Sequence, residues 1–164
     1  MKSCYGCTAY ETACYFNIFD PVLKAMPVEG AWIGEEDFNA IANYCPDPGM
    51  IREYLEGTGY DVDKRGEYGK TPLAVAAAEN PRAEITKALL DCGADVNSRS
   101  DDGYTTLMYA LEDNYHTGVA QMLLSYGADA YAKDIDGRTS FDIAAEDCPE
   151  SLNDIRMAFI RGQT

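Results

Sequence analysis

The stretch that decides the fold is Gly69-Lys70-Thr71-Pro72-Leu73, because the chain repeats it twice at one fixed step. It returns 34 residues later as Gly103-Tyr104-Thr105-Thr106-Leu107, and after another 34 as Gly137-Arg138-Thr139-Ser140-Phe141. A second phrase follows the same step, from Gly93-Ala94-Asp95 to Gly127-Ala128-Asp129. Two interleaved phrases that repeat in phase indicate a solenoid of stacked repeats, and a solenoid offers a long binding surface instead of a pocket.

The residues of these two repeated motifs resemble the pattern of ankyrin repeats. Residues 71–97 begin with Thr-Pro-Leu and end with Leu-Leu-Asp-Cys-Gly-Ala-Asp-Val-Asn, close to the family pattern. The resemblance implies an all-α solenoid of helix-turn-helix repeats joined by β-hairpin-like fingers. It covers residues 35–164 and weakens toward both ends, which divides the domain into repeats at 35–68, 69–102, 103–136 and 137–164. Residues 1–34 match no family, and their aromatic content predicts an N-terminal helical cap over the first repeat.

Local chemistry supports this division of the chain. Thr71, Thr105 and Thr139 stand where a hydroxyl can cap the first backbone amides of a helix. Gly93 and Gly127 stand where a second helix would end in the left-handed conformation that glycine adopts most readily. We therefore interpret these recurring residues as structural.

Charge gives the next functional indication. The chain has 28 acidic and 13 basic residues, for a formal net charge of −15. Such a surface repels nucleic acid and anionic membranes, whereas it attracts and steers a basic protein partner. No stretch approaches the roughly 20 apolar residues of a membrane span. The alternative is that the charge serves only solubility.

The resemblance also implies where a partner would bind, because ligands of similar proteins touch the finger tips and the inner side of each first helix. Tyr68, Tyr104 and Ile135 are expected at exposed tips, where aromatic and apolar anchors would suit an interface. For the finger aspartates, the alternative is a purely structural role as turn formers. The predicted partner-binding residues are Tyr68, Lys70, Glu79, Arg99, Asp101, Asp102, Tyr104, Glu112, Asp113, Ile135, Asp136, Arg138, Glu146 and Asp147.

No catalytic constellation is visible in the sequence. The single histidine, His116, falls by phase in an outer loop, and no glycine-rich phosphate loop is present. We therefore expect a protein that is not an enzyme and that needs no cofactor.

The cysteines leave several readings open. Cys4, Cys7, Cys14 and Cys45 could form disulfides in an oxidising compartment, or remain reduced thiols in a cytosolic protein. A zinc site is a weaker reading, because structural zinc sites usually pair two short Cys/His elements and only one Cys-x-x-Cys is present. The lack of a visible secretion signal favours a cytoplasmic location, with the periplasm as the alternative if a signal has been removed.

Together these observations predict a protein that is monomeric when free and binds a protein partner stoichiometrically. Small, acidic, stand-alone ankyrin proteins resemble bacterial immunity proteins, which neutralise a cognate toxin. The alternatives are an effector or adaptor that recruits a cellular protein and, from a different class, a cysteine-based redox or metal protein.

Overall fold

The computed structural model describes residues 42, 47–80, 82–112, 117–147, 149, 153, 156–157 and 160. The predicted N-terminal cap over residues 1–34 lies outside these residues and stays a prediction.

Six α-helices follow one another along the described residues: α1 Pro48–Thr58, α2 Pro72–Glu79, α3 Ala83–Asp91, α4 Thr106–Glu112, α5 Thr117–Ser125 and α6 Ser140–Asp147. A short 3₁₀ helix, Glu67–Gly69, precedes α2. The first helix of a repeat (α2, α4 or α6) alternates with a second helix (α1, α3 or α5), as the 34-residue step predicts.

The helices stack in two layers. The first helices form one layer, in which α2 packs on α4 and α4 on α6; the second helices form the other, in which α1 packs on α3 and α3 on α5. Leu73, Leu107, Leu89 and Leu123 are fully buried between the layers. Each such side chain contributes roughly 1.5–3 kcal/mol through its burial, so the shared core holds the repeats together.

The helix starts confirm the predicted threonine caps. The hydroxyl oxygens of Thr71 and Thr105 each accept a backbone N–H three residues ahead, both at 3.3 Å. Thr139 accepts from the Asp142 amide at 3.4 Å, and the Asp142 carboxylate accepts the Thr139 N–H in return at 2.8 Å. This reciprocal arrangement is a capping box, which satisfies two backbone donors that the helix itself leaves free.

The connections between repeats are hairpin-like fingers. We name them finger A (residues 65–71), finger B (residues 99–105) and finger C (residues 133–139). Isolated antiparallel bridges join Arg99 to Thr105 and Lys133 to Thr139. Gly93 and Gly127, with φ of 94° and 90°, end α3 and α5 as predicted. Each finger therefore lies directly before a first helix: finger A before α2, finger B before α4 and finger C before α6.

Candidate functional site

The candidate site consists of the fingers and the adjoining side of α2, α4 and α6. The foot of each finger, next to a helix start, carries one large side chain, and we call Lys70, Tyr104 and Arg138 the foot row. The three residues are separated by steps of 34 and are all half-buried. They lie at equivalent positions, so their side chains follow one another along the inner surface.

Tyr104 is the one tip residue that the sequence placed wrongly. The prediction put it at an exposed tip, but it is half-buried at the finger foot. Its ring lies 5.2 Å from the ring of Tyr109, centroid to centroid, and its hydroxyl accepts a hydrogen bond from Arg138 Nη2 at 2.9 Å. The reason is its position within the 34-residue repeat. Tyr104 occupies the same repeat position as Lys70 and Arg138 of the foot row, whereas the tip residue Tyr68 occupies the same position as Asp102.

Arg138 is held by carboxylates of its own finger. Its Nε donates to Asp134 Oδ2 at 2.9 Å, and its Nη2 lies 3.6 Å from Asp136 Oδ2. Asp134 is buried, and its Oδ1 accepts the backbone N–H groups of Asp136 and Arg138 at 2.9 and 2.8 Å. Burial alone would raise the pKa of the Asp134 carboxyl, but the hydrogen bonds and charge of Arg138 outweigh it and hold that pKa below its ordinary value. Much of the charge of this cation is therefore balanced inside finger C.

Finger A uses an ion pair with the next finger. Arg65 Nη2 lies 2.8 Å from Asp101 Oδ1, and Arg65 Nε donates to the Gly69 carbonyl at 3.1 Å. The pair runs across Gly69, where a Cβ would overlap both the guanidinium and the carboxylate. The ion pairs of Asp101 and Asp136 favour the structural reading of these finger aspartates; a role in binding stays a proposal for both.

The finger tips present two large exposed side chains, Tyr68 and Ile135, which are 66% and 71% accessible. The backbone ties neighbouring tips together, because Asp101 N donates to the Tyr68 carbonyl at 3.0 Å and Ile135 N to the Asp102 carbonyl at 3.1 Å. Arg99 Nη2 donates to the Lys133 carbonyl at 2.9 Å. Tyr68 and Ile135 are thus exposed on a cross-linked edge, as the sequence predicted.

The ends of the first helices carry the helix carboxylates. Ala78, Glu112 and Glu146 occupy equivalent positions at the ends of α2, α4 and α6, and we call them the inner row. Glu112 and Glu146 are exposed, and neither has an ion-pair partner among the described residues. Glu79 is exposed at the end of α2. Asp113 lies outside the described residues. Asp147 is the last residue of α6, and only its backbone is described.

The opposite layer holds a separate cluster. Asp91 of α3 accepts from Arg52 at 2.7 Å, Lys87 at 2.9 Å and Tyr126 at 2.8 Å. The side-chain hydrogen bonds of Lys87 and Tyr126 lower the pKa of the Asp91 carboxyl. Since α1, α3 and the end of α5 each contribute one or more of these groups, the cluster links three successive repeats.

An open groove of about 580 Å³ lies beside that cluster, lined in part by Tyr60 and Cys92. Burial raises the pKa of the Cys92 thiol, which keeps it protonated and poorly nucleophilic at neutral pH. Cys4, Cys7, Cys14 and Cys45 lie outside the described residues, so the disulfide, zinc and redox readings of that group stay untested.

Among the described residues, no group of three or more His, Cys, Asp or Glu side chains is placed to hold a metal ion. None of the helices described is long and apolar enough to cross a bilayer.

The sequence missed two contacts at this site. Asp134 was not singled out, although Asp-x-Asp-Gly is a turn signal that predicts side-chain to backbone hydrogen bonds. The second is Lys70, whose Nζ lies 4.6 Å from the centroid of the Tyr109 ring. In the sequence, this contact could have been suggested by the aromatic residue Tyr109, which falls in the first helix of the repeat that follows the one begun near Lys70.

These features define a class: a helical repeat protein whose two-helix repeats are joined by hairpin-like fingers. The family model described as "Ankyrin repeats (3 copies)" matches residues 38–134, and the chain belongs to the ankyrin-repeat family. Ankyrin repeats are protein–protein interaction modules and are typically not enzymes. No curated protein matches the sequence.

Proposed function

We propose that this protein binds a basic partner protein one to one, through the inner row and the finger tips, and acts as an inhibitor of that partner. The observation that carries the proposal is a set of exposed carboxylates on this surface that pair with no cation among the described residues. Arg65 and Arg138 pair with carboxylates of the fingers, whereas Glu112 and Glu146 face outward with no ion-pair partner among the described residues.

The formal charge of −15 adds a long-range field to these local carboxylates. Because opposite electrostatic fields steer association, the inner row would speed the encounter with a basic surface and orient that surface. Tyr68 and Ile135 would then supply apolar contact at the edge, since exposed aromatic and aliphatic anchors surrounded by charge suit interface hot spots.

The specific form of the proposal is an immunity protein that neutralises a cognate bacterial toxin. An acidic surface that seats a basic functional face excludes the substrate of that face, so binding alone would inhibit. The basis for this form is the family's interaction role together with the strong acidity of a small chain.

Affinity capture from the native organism tests the proposal. The tagged protein is used as bait at low and at high salt, beside a Glu112→Lys/Glu146→Lys bait in which the inner row is reversed. We expect one basic protein in stoichiometric amount, retained by wild type at low salt and lost both at high salt and on the reversed bait.

The captured protein is then expressed alone and together with this chain. Growth arrest by the partner alone, relieved by co-expression, supports the inhibitor. A stoichiometric partner without toxicity replaces the inhibitor with an adaptor, and equal capture by both baits refutes the proposed surface.

A further inference from the structure

The inner surface of repeats two and three contains a tyrosine pair next to two small residues. Tyr109 of α4 packs with Ala74 and Ala78 of α2, and Tyr104 packs against this cluster. The two ring centroids are 5.2 Å apart and the ring planes are tilted by 51°, within the separation at which aromatic pairs attract each other. Alanine occupies both α2 positions, and Tyr109 is only 8% accessible, so its ring is covered in the free protein.

A cation of the chain itself lies over the Tyr109 ring. Lys70 Nζ is 4.6 Å from the Tyr109 centroid, within the distance at which an ammonium is attracted by a ring quadrupole. Lys70 has no carboxylate partner among the described residues, so its ring contact is its one recorded side-chain interaction. The site thus already holds the type of group that it attracts.

Glu112, the last residue of α4, adds a carboxylate to the same region. Its charge contributes to the raised pKa of the Tyr104 phenol, after burial as the larger cause, which places it within electrostatic reach of the pair. On the other side, Arg138 donates to the Tyr104 hydroxyl, and its guanidinium carbon lies 5.7 Å from the centroid of the Tyr104 ring. Its charge is paired with Asp134. Glu112 is therefore a carboxylate near the rings that has no ion-pair partner among the described residues.

We infer that Tyr109, Tyr104 and Glu112 form a subsite for a cationic side chain, arginine or lysine, of the partner, and that Lys70 is a built-in competitor which occupies it in the free protein. This inference rests on the proposed function, because it requires a partner with a basic surface. The partner's cation displaces the Lys70 ammonium from the ring, and Glu112 pairs with the incoming charge. A planar guanidinium suits the site better than an ammonium, because it can stack on a ring while it donates to a carboxylate.

The test uses a small probe, acetyl-Gly-Arg-Gly-amide, and follows the ring resonances of ring-labelled tyrosines by NMR. We expect the peptide to shift Tyr109 and Tyr104 and to leave Tyr68 at the finger tip unchanged. The citrulline peptide, which has the same shape without the charge, should produce no shift. A lysine peptide should bind more weakly than the arginine peptide.

The decisive variant is Lys70→Gln, which removes the competitor and should strengthen binding of the arginine peptide about threefold, the size of an exposed cation–π contact. Lys133→Gln is the matched control, because it makes the same charge change at an exposed position in finger C and should leave the affinity within error of wild type. Glu112→Gln should weaken binding by a similar factor.

Weaker or unchanged binding in Lys70→Gln, with the fold intact by circular dichroism, overturns the subsite. So does a peptide that shifts no tyrosine ring in either protein. These results are separate from partner capture: a captured basic protein together with an unchanged Lys70→Gln affinity retains the proposed function and removes the subsite.

Discussion

Finger A and finger C share a closing backbone hydrogen bond and have different side-chain supports. In finger A, Gly66 N donates to the Lys70 carbonyl at 2.8 Å; in finger C, the equivalent Asp134 N donates to the Arg138 carbonyl at 3.0 Å. Gly66 has no side chain to brace the turn, so finger A depends on the exposed ion pair between Arg65 and Asp101.

In finger C the support is buried and internal. The Asp134 carboxylate accepts two backbone amides and the Arg138 guanidinium while shielded from water. The comparison indicates that the repeated backbone pattern sets the course of each finger. The side chains determine how firmly each finger is held. Finger A, with its exposed tip Tyr68, is the finger with fewer internal restraints.

The largest expected effect is at Asp134. Asp134→Ala should lower the free energy of unfolding by about 2 kcal/mol, because two part-buried backbone donors and a guanidinium lose a charged acceptor. Urea denaturation followed by circular dichroism measures it. Asp101→Ala is the control in finger A. Loss of its exposed ion pair should lower the free energy of unfolding by only about 0.5 kcal/mol. Equal losses in the two variants would contradict the contrast between the fingers.

A second comparison uses the two finger glycines. Gly69→Ala should destabilise by roughly 2 kcal/mol, since it combines a left-handed φ of 69° with displacement of the Arg65–Asp101 pair. Gly137→Ala, with φ of 81° and open space around its Cβ position, should cost only about 1 kcal/mol. Thermal unfolding of both variants decides; a larger loss at Gly137 would mean that the ion pair is not held across Gly69.

The pH dependence sharpens the role of Asp134. Its pKa in the folded protein lies below the ordinary value of 3.8, so its contribution is present at neutral pH and is lost as the pH falls through the folded value. Stability of wild type and Asp134→Asn, measured from pH 7 downward, should differ most near neutrality and converge in strong acid. A constant difference would show that the charge of Asp134 is not the stabilising element.

The smallest expected effect is at the tip of finger A. Tyr68 has a φ of 56°, a left-handed conformation that is unfavourable for tyrosine, and its ring is mostly exposed. Tyr68→Asn should stabilise the free protein by roughly 0.5 kcal/mol, because asparagine tolerates this conformation. If Tyr68 is a partner anchor, the same variant should dissociate faster from the captured partner, whereas unchanged dissociation would remove Tyr68 from the interface.

The 34-residue step predicted most of the fold and only part of the site. The threonine caps, the helix-ending glycines and the alternation of two helices follow from local chemistry that repeats, so Thr71 and Gly93 could be interpreted from sequence alone. Exposure of Tyr68 and Ile135 was predicted in the same way and is confirmed.

Side-chain partners between repeats could not be predicted so directly. Tyr104 was assigned to a tip because its size suggested an anchor, although its phase matches the foot row. The contacts of Lys70 with Tyr109 and of Arg65 with Asp101 join neighbouring repeats, and their formation depends on stacking geometry that a single repeat does not encode. Which surface carries partner binding stays a proposal for the same reason.

The measurement that tests the central claim most directly is the association rate constant of the captured partner. Wild type is compared with Glu112→Gln/Glu146→Gln, and with the control Glu53→Gln/Glu84→Gln, which makes the same change of net charge on exposed positions of the second-helix layer. We predict a roughly tenfold slower association for the inner-row variant at low salt, little change for the control, and a smaller gap at high salt. Equal rates for the two variants would contradict the inner row as the surface that receives the partner.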